Sequence, residues 1–187
     1  MYPILGLSVV ALGIFLERLW VLRPERFIPV ALLAKLKELL GAGNYNEAAS
    51  LCAINDYAIT RIAARLIEDK GQDWQKLSAV AEEVGSIEAR ELASYQSTLL
   101  IIVALEPLLG LLGTVFAMID IFNVMSTGAI GDGQALSGGI ALALITTAAG
   151  ISIAIPVQVF HHIAKYMADK ITNELERQTI ALIELIK

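Results

Sequence analysis

Two carboxylates and a set of threonines stand where a chain in water would gain little from them. Glu106 and Asp120 lie inside an apolar stretch running from Thr98 to Met125, with Thr114 between them and Pro107 beside Glu106. A second apolar stretch, Leu136 to Phe160, holds Thr146, Thr147 and Ser152. Carboxylates, hydroxyls and backbone carbonyls are the groups that hand on a proton or hold a small cation; hydroxyls and carbonyls alone do not separate proton from sodium. On a helix, Glu106, Gly110, Gly113, Ala117 and Asp120 share one face, which sets two acids at the ends of a strip of small residues. Gly139, Ala143, Thr147, Gly150 and Ala154 make a matching face in the second stretch, with Thr146 and Ser152 beside it. Small residues let helix backbones approach, and hydroxyls bond across helices. Pro107 and Pro156 free the carbonyls of Val103 and Ser152, which then need donors or water. Plainer roles compete with ion transfer: Asp120 at a wet outer interface, Glu106 in a static hydrogen bond between helices, and the stripes as ordinary packing.

The elements that would carry these groups are membrane spans. Of the 187 residues, 56% are apolar and only 18% charged, against roughly 25% charge in ordinary domains. Mean hydropathy is +0.65. No Lys or Arg occurs between Arg90 and Lys165, the interval that holds the two longest apolar runs. A bilayer core of about 30 Å needs about 20 mostly apolar helical residues. Ile4 to Leu22 supplies a first candidate, with Trp20 as an interfacial anchor. It lacks the basic start and A-x-A site of a signal peptide. Its start almost at residue 1 leaves room for a longer native N-terminal stretch. An ionisable side chain at the bilayer centre costs about 2.5–3.5 kcal/mol on insertion scales, so Glu106 is expected to face a bundle interior or an aqueous path.

Orientation follows from the basic residues. Arg18, Arg23 and Arg26 close the first span, Lys165, Lys170 and Arg177 follow the third, and the loop Ser126 to Ala135 carries Asp132 and no basic residue. The N-terminus is therefore expected outside, in the periplasm, and the C-terminus in the cytoplasm. The expected organisation is a first span over 1–22, a cytoplasmic helical domain over 23–97, spans at 98–125 and 136–160 joined by a periplasmic loop 126–135, and a cytoplasmic helix over 161–187.

Within 23–97, Pro24 and Pro29 break the chain away from span one. Val30 to Leu40 reads as a helix stopped at Gly41-Ala42-Gly43, followed by short helices at Glu47–Ile54 and Ile59–Glu68. After a turn at Gly71-Gln72-Asp73, with Asp73 as N-cap, no strong breaker except Gly85 interrupts the run from Trp74. One long helix running from the cytoplasm into span two is expected. Ala164 to Lys187 should continue span three, with Ile171, Leu175, Ile180, Leu182 and Ile183 as its apolar side. The fold class is all-α: an integral membrane protein with three transmembrane helices and a helical cytoplasmic bundle formed partly by long extensions of the second and third.

Other chemistries find little support. The net charge of −5 and the absence of a Lys/Arg run speak against nucleic acid. Cys52, the single cysteine, excludes an intramolecular disulfide and reads as a small core residue. No CxxC, HExxH, P-loop or GxSxG pattern occurs. The only histidines, His161 and His162, are adjacent and so point in different directions on a helix. No enzyme activity, cofactor or metal is expected.

Leu105-Glu106-Pro107-Leu108-Leu109-Gly110-Leu111-Leu112-Gly113-Thr114-Val115 resembles the second-span signature of the MotA/TolQ/ExbB proton channel family, in its three-span ExbB/TolQ branch. Gly139 to Gly150, continued by Ala154-Ile155-Pro156, is similar to the third-span signature. Glu17-Arg18-Leu19 and Gly43-Asn44-Tyr45 with Glu47-Ala48 and Leu51-Cys52 also fit. The resemblance implies a homopentameric ring in the inner membrane, around the transmembrane helices of a single-span ExbD/TolR-like partner dimer, working with a TonB-like or TolA-like protein. It implies that Thr114 and Thr147 line the ion path beside a partner aspartate, and that proton motive force energises outer-membrane transport or envelope processes. One departure stands out: the family's third-span glutamate is Leu142 here, whereas Glu106 stands where small apolar residues usually precede the proline. Glu106, with Thr146, is a candidate for part of the missing polar role. A non-conducting membrane scaffold, or a sodium-driven or gliding-type motor subunit, are the alternative readings.

Overall fold

The computed structural model describes residues 2–126 and 133–186. They form seven α-helices and one 3-10 turn: α1 (Tyr2–Val21), the 3-10 turn Pro24–Arg26, α2 (Val30–Gly41), α3 (Tyr45–Ile54), α4 (Ala58–Glu68), α5 (Trp74–Leu92), α6 (Gln96–Ser126) and α7 (Gly133–Ile186). No strand occurs among the described residues. Three helical segments are long and apolar enough to cross a membrane, and they lie at Pro3–Val21, Trp74–Ser126 and Leu136–Ile186. The protein is an all-α membrane protein.

Residue contacts divide the chain into two units. The apolar unit comprises Met1–Glu17 and Tyr95–Ile163. Here α1 packs on α6 and α7 through Ala11, which is completely buried with Leu99, Ile102 and Val157. One turn along α1 from Ala11, Phe15 stacks on Phe160 with ring centroids 4.0 Å apart. The other faces of these helices carry exposed Leu, Ile, Val and Phe, as lipid-facing helices should.

The polar unit comprises Arg18–Ser94 and Ala164–Lys187. Its core is built from branched apolar residues of α2, α4, α5 and α7, among them Leu36, Ile59, Leu66, Leu77 and Leu182. Each of these residues is fully buried. Arg61 on α4 forks onto Glu88 of α5, with Nε and Nη2 each 2.6 Å from a carboxylate oxygen, and its Nη1 reaches Asp56 at 2.6 Å. The hydrogen bonding that Arg61 donates to the Glu88 carboxylate is the main cause that pushes its guanidinium further above its ordinary value. Cys52 is buried, as its Ala/Leu-rich setting implies, and burial pushes its thiol up to about 11.

Local signals in the sequence explain most boundaries. Gly43 takes a φ of +74° just after α2, where a side chain would be strained. Asp73 caps α5 by accepting from the Lys76 N–H at 3.1 Å. Two expectations are corrected. The helix from Trp74 does not run unbroken into span two: α5 ends at Leu92, and Tyr95 takes a φ of +62° before α6 begins at Gln96. A tyrosine in the left-handed region is uncommon and carries no signal in the sequence. Ile180 is half-exposed rather than part of the α7 core side, whereas Ile171, Leu175, Leu182 and Ile183 are buried. At the other end of span two, α6 extends through Ser126 and α7 starts at Gly133, earlier than Leu136. The intervening segment with Asp132, on which the loop's orientation rests, lies outside the described residues.

Candidate functional site

The α6–α7 seam is built from missing side chains. A Cβ placed on Gly150 would lie 2.6 Å from the Glu106 carbonyl oxygen and 3.1 Å from the Gly110 Cα. One placed on Gly110 would lie 3.0 Å from the Thr146 carbonyl oxygen and 3.2 Å from the Thr147 Cα. Backbone therefore meets backbone, an approach only glycine permits. Gly113 faces the Thr146 side chain, with Cβ of that threonine 2.8 Å from a hypothetical methyl, and a methyl on Gly139 would run into the Ile121 side chain. Ala143, Ala154 and Ala117 on the same two helices are buried as well. Gly110, Gly113, Gly139 and Gly150 thus face the opposing helix, and Ala143 is buried.

Glu106 sits on this seam with no exposure at all. Neither carboxyl oxygen has a hydrogen-bond partner. The static interhelical hydrogen bond that would explain it as a structural residue is not formed among the described residues. A polar group buried without a partner costs free energy, which makes Glu106 the chemically conspicuous residue of the apolar unit.

The threonines divide into two kinds. Thr146 is buried and returns its hydroxyl to the Ala143 carbonyl at 2.8 Å. Thr114 is half-buried and bonds the Leu111 carbonyl at 2.7 Å. Thr147 is half-buried, and its hydroxyl has no partner among the described residues. The buried hydroxyl of the seam is therefore that of Thr146 rather than Thr147, while Gly139, Ala143, Gly150 and Ala154 keep their places on the sequence-based stripe. Thr114 and Thr147 lie at the seam's edge, with part of each side chain open.

Asp120 lies off the seam. It is exposed, and Ile121 is the buried residue at that end of α6, because its side chain fills the space over Gly139. One acid, not two, belongs to the seam. Ile121, like Ala11 of α1, escaped sequence reasoning because nothing distinguishes it from the lipid-facing residues around it. Leu142 is half-exposed. His161 is buried, His162 is exposed, and their rings are 5.6 Å apart and tilted.

Three candidate spans, a glycine seam and a buried acid define a multi-pass membrane protein. A model of the MotA/TolQ/ExbB proton channel family matches residues 53–177. The chain belongs to that family. It is 31% identical over 163 residues to a putative biopolymer transport protein, ExbB-like 1, of Synechocystis sp., covering 83% of this chain and 62% of that protein. It is 25% identical over 186 residues to ExbB-like 3 of the same organism, covering 98% of this chain and 88% of that one. A putative ExbB homolog of Methanothermobacter thermautotrophicus is 26% identical over 185 residues, covering 96% and 63% respectively. The chain thus spans less than two thirds of the first and third of these relatives.

Proposed function

We propose that the chain is a ring subunit of an inner-membrane motor that is driven by proton motive force and energises transport or envelope processes, in the manner of ExbB and TolQ. Its assembly is a homopentamer around a single-span ExbD/TolR-like dimer, linked to a TonB-like or TolA-like protein. The N-terminus lies in the periplasm, and the polar unit and C-terminus in the cytoplasm. The names of the relatives support biopolymer transport as the work done.

One observation carries the reading: Glu106 is wholly buried on the glycine seam with both carboxyl oxygens unbonded. An acid kept there at that cost has a use that packing does not supply. Thr114 and Thr147, half-open at the seam's edge, supply hydroxyls to an ion passing between this subunit and the partner helix. Thr146 holds the backbone spacing beside them. Glu106 takes over part of the polar role that Leu142 cannot perform.

Ion flux in vesicles containing the chain and its single-span partner tests this. Glu106→Gln should reduce flux at least tenfold, and Thr147→Ala should reduce it measurably. Unchanged flux in Glu106→Gln removes the acid from the path. The hydrocarbon side chain at Leu142 favours a second reading, a scaffold that holds partners without conducting, and an assembled complex with no flux above empty vesicles would establish it.

A further inference from the structure

The polar unit holds a feature that ion conduction does not use. Between α5 and the Thr172–Ile183 part of α7 lies an open groove of about 460 Å³. Its α5 wall presents Ala81, Gly85 and Ala89, and its α7 wall presents Leu175 and Ile180. From Ser78 to Ala89 the wall runs three turns of helix, about 16 Å at the usual rise. A Cβ added to Gly85 would meet nothing within 4 Å, so the space above it is open. Ile180, turned out of the core, is half-exposed here. A long trough with a small-residue wall and branched apolar residues opposite has the shape that receives another helix.

Two further observations narrow the occupant. Thr179 lines the groove and is buried, yet its hydroxyl has no hydrogen-bond partner. By contrast, Ser86 of the same groove bonds back to the Glu83 carbonyl, as Ser50 on α3 does to that of Asn46. Glu82 and Glu176 also line the groove, both exposed, and neither has an ion-pair partner among the described residues. Their neighbours on the same helices are paired, Glu88 with Arg61 and Glu174 with Arg177. No basic residue lines the groove. Its charged residues are all acidic, which complements a cation and repels an acidic partner.

We propose that this groove docks an amphipathic helix of a different protein, apolar on the buried face and carrying Lys or Arg along its edges. The docked helix lays small or apolar side chains over Gly85 and sets its cations against Glu82 and Glu176. This site is independent of the ion path, so either reading can fail without the other.

The test is a selection on the whole protein in nanodiscs of zwitterionic lipid. The probe is a displayed library of 15-residue amphipathic helices whose edge positions vary among Lys, Arg, Gln and Glu. Binders should carry Lys or Arg at those edges. Their fluorescein-labelled forms should bind at least tenfold more weakly to the Glu82→Lys/Glu176→Lys variant and to Gly85→Leu, which fills the trough. The charge-reversed pair changes only exposed residues, so it keeps the test decisive if Gly85→Leu does not fold. No enrichment over empty nanodiscs, binders with neutral or acidic edges, or binding indifferent to the charge reversal overturns the proposal. A lower oligomer mass for Gly85→Leu in native mass spectrometry also overturns it, because the groove is then a contact between copies of this chain.

Discussion

In the apolar unit, α6 and α7 meet where Gly150 leaves room for the Glu106 carbonyl and Gly110 for the backbone of Thr146 and Thr147. In the polar unit, the helices meet through leucines and isoleucines such as Leu36, Ile59 and Leu182, and α4 is tied to α5 by the Arg61–Glu88 fork. The two solutions match two solvents. Water drives large apolar side chains together, so bulk stabilises the polar unit. Lipid gives no such drive, so the spans rely on close backbone approach and dispersion. Tolerance to substitution should therefore be opposite in the two units: the seam rejects an added methyl, whereas the polar unit suffers from removal.

Gly150→Ala should give the largest effect. Its new methyl meets backbone, which cannot rotate away, so α6 and α7 must separate at a cost of about 3 kcal/mol, the upper end for overpacking. Thermal unfolding in detergent should show the loss, and an unchanged midpoint would dissolve the contrast between the units. Arg61→Ala comes next. It leaves buried Glu88 without its counter-charge, and because Arg61 is itself partly solvated the cost should fall to about 2 kcal/mol, below that of a fully buried pair. Proteolysis protection of α4 and α5 is the readout, and Arg61→Lys should recover only part of it, since a lysine cannot fork. Gly139→Ala should be mildest, about 1 kcal/mol, because the obstructing group is the flexible Ile121 side chain. A Gly139→Ala loss equal to that of Gly150→Ala would mean that seam tightness does not depend on whether backbone or side chain is met.

The stripe of Gly110, Gly113 and Gly150 was legible in the sequence because three- and four-residue spacing maps directly onto one helix face. The burial of Thr146 in preference to Thr147 was not, since adjacent threonines present the same chemistry and only packing chooses between them. Asp120 was left between two placements for a related reason: spacing puts it near the face, but Ile121 competes for the same space and is the better filler. The turn at Tyr95 has neither glycine nor proline to announce it. The α5 groove was equally hidden, because an unfilled space depends on which residues fail to meet, and Gly85 gave warning only as a breaker in an otherwise helical run.

Glu106 also bears on how the chain is made. The helix that shields it, α7, is synthesised after it, so a newly inserted α6 would hold a carboxyl group against lipid with no seam to receive it. Insertion of α6 and α7 as one hairpin avoids that exposure, and the glycines that close the mature seam then also set the order in which a nascent chain can safely leave its translocation machinery.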